Sequence, residues 1–326
     1  MIRNQESGIR NQGRGCGFAA LLHQPAQSAV NNLILAPPSS KGFTLIEMIV
    51  VMVITGIIGG MIAMFIRAPV QGYLDSARRA AMTDIADTAL RRISRDLRRA
   101  LPNSVRVATD GTNFYLEFIP TIGGGRYRVG PPGDPLDFTT ADGGFDVLAP
   151  VANVGIAATN RIAIYNLGIT NATAYAGDNF NVVNTVSAGA NTDETHITLT
   201  APIRFPFASP GNRFHVFTTP VTYVCAPIAG GGGTLTRYWG YAIQSLQSST
   251  DSMLELNALV SPANASRGGA LLASNVGLAV GAGGCSFSYQ ANVVAERTGI
   301  VTMNLTITQN GESVTLYSVA HVSNEP

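Results

Sequence analysis

One long apolar run, from Phe43 to Ile66, constrains the fold of this chain more than any other feature. As an α-helix it would extend about 36 Å, which exceeds the roughly 30 Å hydrocarbon core of a bilayer. The apolar core of a secretory signal peptide is shorter, about 7–15 residues, and is followed by small residues such as Ala-x-Ala. The run therefore predicts a transmembrane anchor over residues 43–66.

Glu47 is the only charged residue within this run. A carboxylate at bilayer depth costs about 2.5–3.5 kcal/mol on insertion scales, so such a residue normally has a partner and marks function. A plain single-span anchor does not need a carboxylate within its apolar run. Glu47 is therefore a candidate functional residue, and we expect its partner to be an amine.

Charge is distributed unevenly, although the formal net charge of the 326 residues is only +1. Residues 67–101 carry eight Arg and four Asp, whereas residues 102–326 carry nine Arg and fourteen acidic residues. Lys41 is the only lysine. A chain cut after residue 42 would therefore lack a phosphate-binding-loop lysine, a Schiff-base lysine and a Ser-Lys dyad.

A second helical pattern follows Pro69, where apolar residues recur at spacings of three and four. On the polar side, Asp75 with Arg79 and Asp87 with Arg91 have the i, i+4 spacing of helix ion pairs. The predicted apolar stripe contains Leu74, Ala77, Ala81, Ile85, Ala89, Ile93 and Leu97, flanked by Met82, Leu90 and Leu101. We therefore expect one long N-terminal helix over residues 43–101, with a membrane-spanning half and an amphipathic half.

Four residues of this helix are poor helix formers: Gly56, Gly59, Gly60 and Pro69. Glycine and proline weaken or kink a helix, so they predict a bend or local melting. Glycine is also common in membrane helices, which is the alternative explanation.

Residues 102–326 are predicted to form a large β-rich globular head, so the expected fold class is α+β. Alternating apolar and polar residues end at Asn310-Gly311 and resume afterwards, which is the pattern of a β-hairpin. No domain boundary is indicated within the head. The predicted strands are Phe114–Ile119, Arg161–Tyr165, His196–Thr200, Phe214–Thr218, Val221–Cys225, Leu235–Ile243, Cys285–Gln290 and Ile300–Thr308.

Two of the three cysteines, Cys225 and Cys285, lie in the head, and Cys16 lies upstream of the apolar run. An isolated pair of cysteines in a chain that crosses a membrane predicts a disulfide in an oxidising compartment. Two buried free thiols are the alternative.

No catalytic, metal or cofactor site is predicted, so we do not expect an enzyme. The histidines after residue 42 are far apart in sequence, and no His-Glu-x-x-His or Cys-x-x-Cys motif occurs.

Two charged clusters leave alternatives open. Calcium could be held by four aspartates, Asp134, Asp137, Asp142 and Asp146, although aspartates in solvated turns are the ordinary interpretation. Arg91, Arg92, Arg95, Arg98 and Arg99 could contact nucleic acid, but they share a helix with acidic residues and lack interleaved aromatics, so nucleic acid is not an expected partner.

The segment Lys41-Gly42-Phe43-Thr44-Leu45-Ile46-Glu47 resembles the cleavage signal of type IV prepilins. The resemblance implies that a prepilin peptidase removes residues 1–42 as a leader, cutting between Gly42 and Phe43, and methylates the new N-terminus at Phe43. It further implies a single-pass protein of the bacterial inner membrane, with residues 102–326 in the periplasm and later in a pilus at the cell surface. Glu47 would neutralise the protonated N-terminal amine of a neighbouring subunit and set its axial register.

Several further segments resemble minor pilins of mannose-sensitive haemagglutinin (MSHA) pili. They include Arg67–Tyr73, Ala77–Ala80, Ala100–Val107, Arg237–Tyr241 and Cys285–Tyr289. The resemblance implies a minor pilin with a role in pilus initiation, assembly or tip structure. Its implied partners are other pilin and minor pilin subunits, prepilin peptidase, the inner-membrane assembly platform and membrane lipid. The alternatives are a minor pseudopilin of type II secretion and an adhesin-like binding head on a pilin anchor.

Overall fold

The computed structural model describes residues 42–150, 155–278, 284–291 and 298–326. The predicted leader up to Lys41 lies outside the described residues. The chain divides into two compact units, Met1–Ala63 and Met64–Pro326. The predicted α+β class is confirmed, because a long helix, α1 (Leu45–Leu97), precedes a β-rich region.

Helix α1 is unbroken for 53 residues, so the predicted local melting at its glycines and proline is not observed. It ends at Leu97, before the predicted end at Leu101. The reason is that the following residues pair with another segment: Ala100 forms a β-bridge with Pro120, and the Leu101 N–H donates to the Ile119 carbonyl at 2.7 Å.

The predicted apolar stripe of α1 is buried only in its C-terminal part. Leu74 is 52% exposed and Ile85 is 36% exposed, and the helix contacts the core only from Met82 onward. A helix stripe is buried only where a partner surface lies against it, and that partner cannot be read from the periodicity. The buried residues are Met82, Ala86, Ala89, Leu90, Ile93 and Leu97.

The predicted ion pairs of α1 are half correct. Asp87 pairs with Arg91 as predicted, at 2.6 Å. Asp75 instead pairs with Arg78, at 3.1 Å. Arg79 is drawn away because it pairs with Glu312, at 3.0 Å, near the C-terminal end of the chain.

Fourteen strands are described in the second unit. They are β1 (Arg106–Thr109), β2 (Phe114–Phe118), β3 (Thr121–Arg126), β4 (Asp142–Val147), β5 (Arg161–Ile164), β6 (Phe180–Ala188), β7 (Thr195–Ile203), β8 (Arg213–Phe217), β9 (Val221–Ala226), β10 (Gly233–Trp239), β11 (Gly268–Val276), β12 (Cys285–Gln290), β13 (Thr298–Gln309) and β14 (Glu312–Ser323). A short helix, α2 (Met253–Leu259), lies between β10 and β11, and the side chain of Ser252 caps it by accepting from the Glu255 N–H. All predicted strands are present, but β10 ends at Trp239 because Gly240, with φ of +83°, turns the chain there.

The first sheet has eight strands in the order β1-β2-β9-β10-β11-β13-β12, with β14 paired to β13. The predicted hairpin is confirmed: β13 and β14 pair along their whole length, and Asn310 and Gly311 both have positive φ, as a type I′ turn requires. The buried face of α1 packs with inward-facing residues of this sheet, such as Leu235, Met303 and Leu305, in one hydrophobic core.

The second sheet has six strands in the order β3-β8-β5-β6-β7-β4. Backbone hydrogen bonds between the end of β3 and β4, from Arg128 N–H to the Asp146 carbonyl and from Leu148 N–H to the Arg126 carbonyl, close it into a small barrel. Its interior is a separate core, in which the Phe145 and Phe214 rings make an edge contact at 6.1 Å.

The barrel is an insertion between two neighbouring strands of the first sheet. Phe118, the last residue of β2, pairs directly with Val221, the first residue of β9, so residues 119–220 leave and rejoin the sheet at one point. The sequence analysis detected no such internal organisation. At the junction, the Arg106 guanidinium pairs with the buried Glu117 at 3.0 Å and stacks on the Tyr175 ring at 3.7 Å.

Candidate processing and assembly site

The peptide bond between Gly42 and Phe43 lies outside helix α1. Residues 42–44 precede the first helical residue, and Phe43 is 77% exposed. A Cβ atom added at Gly42 would meet no atom within 4 Å. Exposed, non-helical segments are the ones that proteases cut readily, so the position of this bond is compatible with the predicted cut.

Thr44 caps the N-terminus of α1. Its carbonyl accepts hydrogen bonds from the N–H groups of Glu47 and Met48, at 3.1 and 3.2 Å, and its hydroxyl accepts from the Glu47 N–H at 3.3 Å. The sequence analysis missed this role. The signal was present, because a threonine three residues before a glutamate at the start of an apolar run is the pattern of a capping box.

The Glu47 carboxylate is exposed in the first turn of α1 and makes no hydrogen bond or ion pair with any residue that the structure describes. Its neighbours are exposed apolar side chains: Leu45 is 78% exposed and Ile46 is 66% exposed. The positive end of the helix dipole favours a carboxylate here, but typically by only about 0.3–1 kcal/mol. Glu47 is therefore a charge in apolar surroundings whose partner is not within residues 42–326 as described.

The apolar run itself is unpartnered in the same way. No side chain from Phe43 to Ile66 is buried, and α1 is the one helix in the described part of the chain that is long and apolar enough to cross a membrane. The only hydroxyl in its interior, on Thr55, donates to the Val51 carbonyl at 2.7 Å. Satisfying that donor within the helix suits a hydrocarbon environment, where water cannot do so.

Comparison with known families identifies this segment. A family described as the prokaryotic N-terminal methylation motif matches residues 37–63. The N-terminus therefore carries a methylation motif similar to that of type IV prepilins. No curated protein and no solved structure gave a significant match.

The prepilin-like motif contains Gly42, Phe43 and Glu47 and implies processing by a prepilin peptidase. Together with the single apolar helix, it agrees with single-pass anchoring in the inner membrane. The position of the cut and the methylation of Phe43 remain predictions. The structure adds that the bond in question is exposed and that Glu47 lies one helical turn beyond it.

The glycines in the apolar part of α1 pack against no other residue that the structure describes. A Cβ atom at Gly56, Gly59 or Gly60 would meet nothing within 4 Å. Pro69 lies within α1 as well. A bend at these residues remains a prediction, as does their alternative role as ordinary membrane-helix glycines.

Cys225 and Cys285 form a disulfide with a Cα–Cα distance of 6.4 Å. Both cysteines are buried in the core beneath α1. The bond joins β9 to β12, which are not hydrogen-bonded neighbours in the sheet. It therefore links two strands of the first sheet that do not pair with each other directly.

The aspartate side chains of the predicted calcium alternative contact other groups of the protein. Asp146 accepts from the Asp134 N–H at 2.8 Å and contacts His196 Nδ1 at 2.9 Å, and Asp142 accepts from the Asp137 N–H at 2.8 Å. Burial, reinforced by the nearby Asp142, raises the pKa of Asp134. Within the described ranges, no group of three or more His, Cys, Asp or Glu is arranged to hold a metal ion.

The arginine cluster of α1 is exposed and only partly paired. Arg91 pairs with Asp87, and Arg99 donates to the Thr121 carbonyl at 3.1 Å. Arg92, Arg95 and Arg98 bond no residue that the structure describes. These three guanidinium groups are available to an external partner.

Proposed function

We propose that this chain is a minor pilin-like subunit of a type IV pilus, similar to MshO of MSHA-type pili, and that it acts in pilus initiation, assembly or tip structure. In this proposal the processed chain begins at Phe43, is held in the inner membrane by residues 43–66, and carries residues 102–326 in the periplasm before entering the pilus. Its function is to assemble with other subunits, and no catalysis is involved.

One observation supports this proposal above the others: Glu47 carries a carboxylate that bonds no described residue, inside an apolar segment that bears the methylation motif. Cleavage before Phe43 would create an α-amine, which is mostly protonated at neutral pH and keeps its charge on methylation. A Glu47 carboxylate next to the Phe43 amine of another subunit would neutralise both charges. A subunit inserted at the wrong height would leave both unpaired in lipid, at a cost of several kcal/mol.

A minor pseudopilin of type II secretion is the second candidate, since the matched motif is shared by pilins and pseudopilins. The same charge pairing would operate there. Deleting the genes for one filament system at a time, and then testing whether the chain still enters a filament, distinguishes the two.

The experiment is the substitution Glu47→Val in a strain that assembles the filament, with Glu47→Asp as the charge-conserving control. We expect Glu47→Val to insert and be cleaved normally but to be depleted at least tenfold from sheared filaments, while Glu47→Asp retains much of its incorporation. Wild-type incorporation of Glu47→Val would contradict the register role of Glu47. An uncleaved wild-type chain would contradict the pilin assignment itself.

A further inference from the structure

Strand β14 forms a long open edge of the first sheet. It pairs with β13 along twelve residues and with no other strand that the structure describes. The pairing has no register shift, and the strand contains no proline and no lysine. Proteins normally protect such edges with bulges, prolines, lysines or covering elements, because a free edge invites another strand.

The free hydrogen-bonding groups of this edge can be assigned from the hairpin. In a two-residue hairpin, the residues flanking the turn exchange hydrogen bonds, and so does every second pair after them. Glu312 flanks the turn opposite Gln309, so Ser318, opposite Met303, also bonds to β13. Tyr317 and Val319 therefore direct their N–H and C=O groups away from β13, and those groups bond no other described residue.

A basic groove of about 350 Å³ lies beside this edge. It is lined by Arg91, Ser94, Arg95 and Arg98 of α1 and by Ser318 and Val319 of β14. Two of its three arginines, Arg95 and Arg98, bond no described residue. Residues at spacings of four and three share one helix face, so all three guanidinium groups flank the same groove.

The spacing of these arginines suits an extended peptide. Arg91 and Arg95 are about 6 Å apart along the helix axis, and alternate residues of a strand are about 6.8 Å apart. Carboxylates at alternate positions of an added strand would thus face successive arginines, while its backbone bonded to β14. This is the combination of main-chain affinity and side-chain specificity that β-strand addition uses.

We infer that the edge of β14 and the adjoining arginine groove form a docking site for an extended, acidic segment of a different pilin-type subunit, which adds to the sheet as a further strand. This inference rests on the proposed function for the kind of partner. The carboxylate-rich segment of this chain itself, Asp134–Asp146, is already folded into the barrel by hydrogen bonds. A second copy is therefore the less suitable donor.

The test is photo-crosslinking of the full chain in the bacterium that assembles the filament. Tyr317, which is 67% exposed, is replaced by p-benzoylphenylalanine, and crosslinked peptides are identified by mass spectrometry. We expect an adduct with an acidic, extended segment of another subunit that carries the methylation motif. Cleavage at Gly42 is followed in the same samples, so that failure of the proposed function is seen separately from failure of this inference.

Two matched pairs of variants test the groove. Val319→Pro removes one outward N–H, and Val319→Thr keeps it. The double variant Arg95→Glu/Arg98→Glu reverses the charge inside the groove, and Arg92→Glu changes the same helix outside it. We expect Val319→Pro and the double variant each to lower the adduct yield about tenfold, and the two controls to lower it less than twofold.

Three results would overturn the inference: no adduct from a correctly cleaved chain, an adduct with a second copy of this chain, or equal yields from groove variants and controls. The melting temperature of each variant is measured. If Val319→Pro is unfolded, the arginine pair, which lies on the surface, decides whether the groove takes part in docking.

Discussion

Between Leu45 and Ile66, helix α1 exposes every apolar side chain, whereas between Met82 and Leu97 it buries six residues in the core of the eight-stranded sheet. The two stretches belong to one unbroken helix, in which the first is almost wholly apolar and the second is apolar on one face. The difference lies in what covers them, since only the second stretch packs against other residues that the structure describes. An apolar pattern in a helix thus indicates that its side chains must be shielded from water, but it does not indicate whether protein or lipid shields them.

The largest expected effect is on cleavage after Gly42, and it separates processing of the chain from folding of the head. We expect Gly42→Val to abolish cleavage, because a β-branched side chain would block the close approach of the peptidase to the backbone at that position. The melting temperature of the head should not change, since Gly42 contacts nothing in it. Intact-mass analysis after co-expression with a prepilin peptidase measures the cut, and Gly60→Ala serves as the control. A normal product from Gly42→Val, or a cut elsewhere, would remove the basis of the prepilin assignment.

The next largest expected effect is on the stability of the head and comes from the disulfide between Cys225 and Cys285. The disulfide joins residues 60 apart in sequence, and chain entropy predicts that it stabilises the head by about 4 kcal/mol. The free energy of unfolding is measured in urea with and without reductant. The signal is the fluorescence of Trp239, the only tryptophan. Membrane insertion should be unaffected. Two cysteines that alkylate freely in unreduced native protein would contradict the bond.

A pair of matched truncations compares the two stretches of α1 directly. Ile93 is fully buried, so Ile93→Ala should destabilise the head by about 3 kcal/mol through lost contacts and a cavity. Ile57 is 54% exposed, and Ile57→Ala should leave the unfolding free energy of the head unchanged. Equal effects of the two substitutions would show that the exposed stretch packs against the head after all.

The smallest effect is a pH dependence confined to the head. Hydrogen bonds from the side chains of Thr139 and Thr140 hold the pKa of Asp137 at about 2, below its ordinary value of 3.8. A carboxyl with a lowered pKa stabilises the fold above its unfolded-state pKa and loses that contribution as the pH falls toward its folded-state pKa. Asp137→Asn should therefore flatten the stability curve between about pH 5 and pH 2. Melting temperatures across this range measure it, and an unchanged slope would contradict the assignment.

The same protein provides a check on calcium. If the aspartates of this loop are turn residues, addition of calcium or of a chelator should leave the melting temperature of wild type unchanged. A rise of several degrees with calcium would favour the metal-binding alternative.

The parts of the structure that could be predicted are those encoded by contiguous residues. The methylation motif, the apolar run and the Asn310-Gly311 turn are each recognisable within a short window, because a peptidase, a bilayer and a type I′ turn all act on local sequence. The capping role of Thr44 could also have been predicted, since its capping-box pattern lies within four consecutive residues.

The remainder depends on distant neighbours. Strand β3 lacks an alternating pattern because glycine is required there: a Cβ atom at Gly124 would lie 2.7 Å from the Phe214 carbonyl. The burial limit of α1 at Met82 and the pairing of Arg79 with Glu312 likewise depend on residues far away in the chain. The groove beside β14 lies between a helix and a strand more than 200 residues later in the sequence, so no local pattern predicts it.

The adjacency of Phe118 and Val221 has a consequence for how the protein can change over evolutionary time. Because residues 119–220 leave and rejoin the first sheet at one point, the barrel can be lengthened, exchanged or removed without altering the register of β2 and β9. Loop-closure entropy rises only slowly with length, by about 0.6 kcal/mol for each doubling, so such changes cost the sheet little. The barrel is thereby a place where the protein can acquire a new surface while the pairing of the first sheet stays constant.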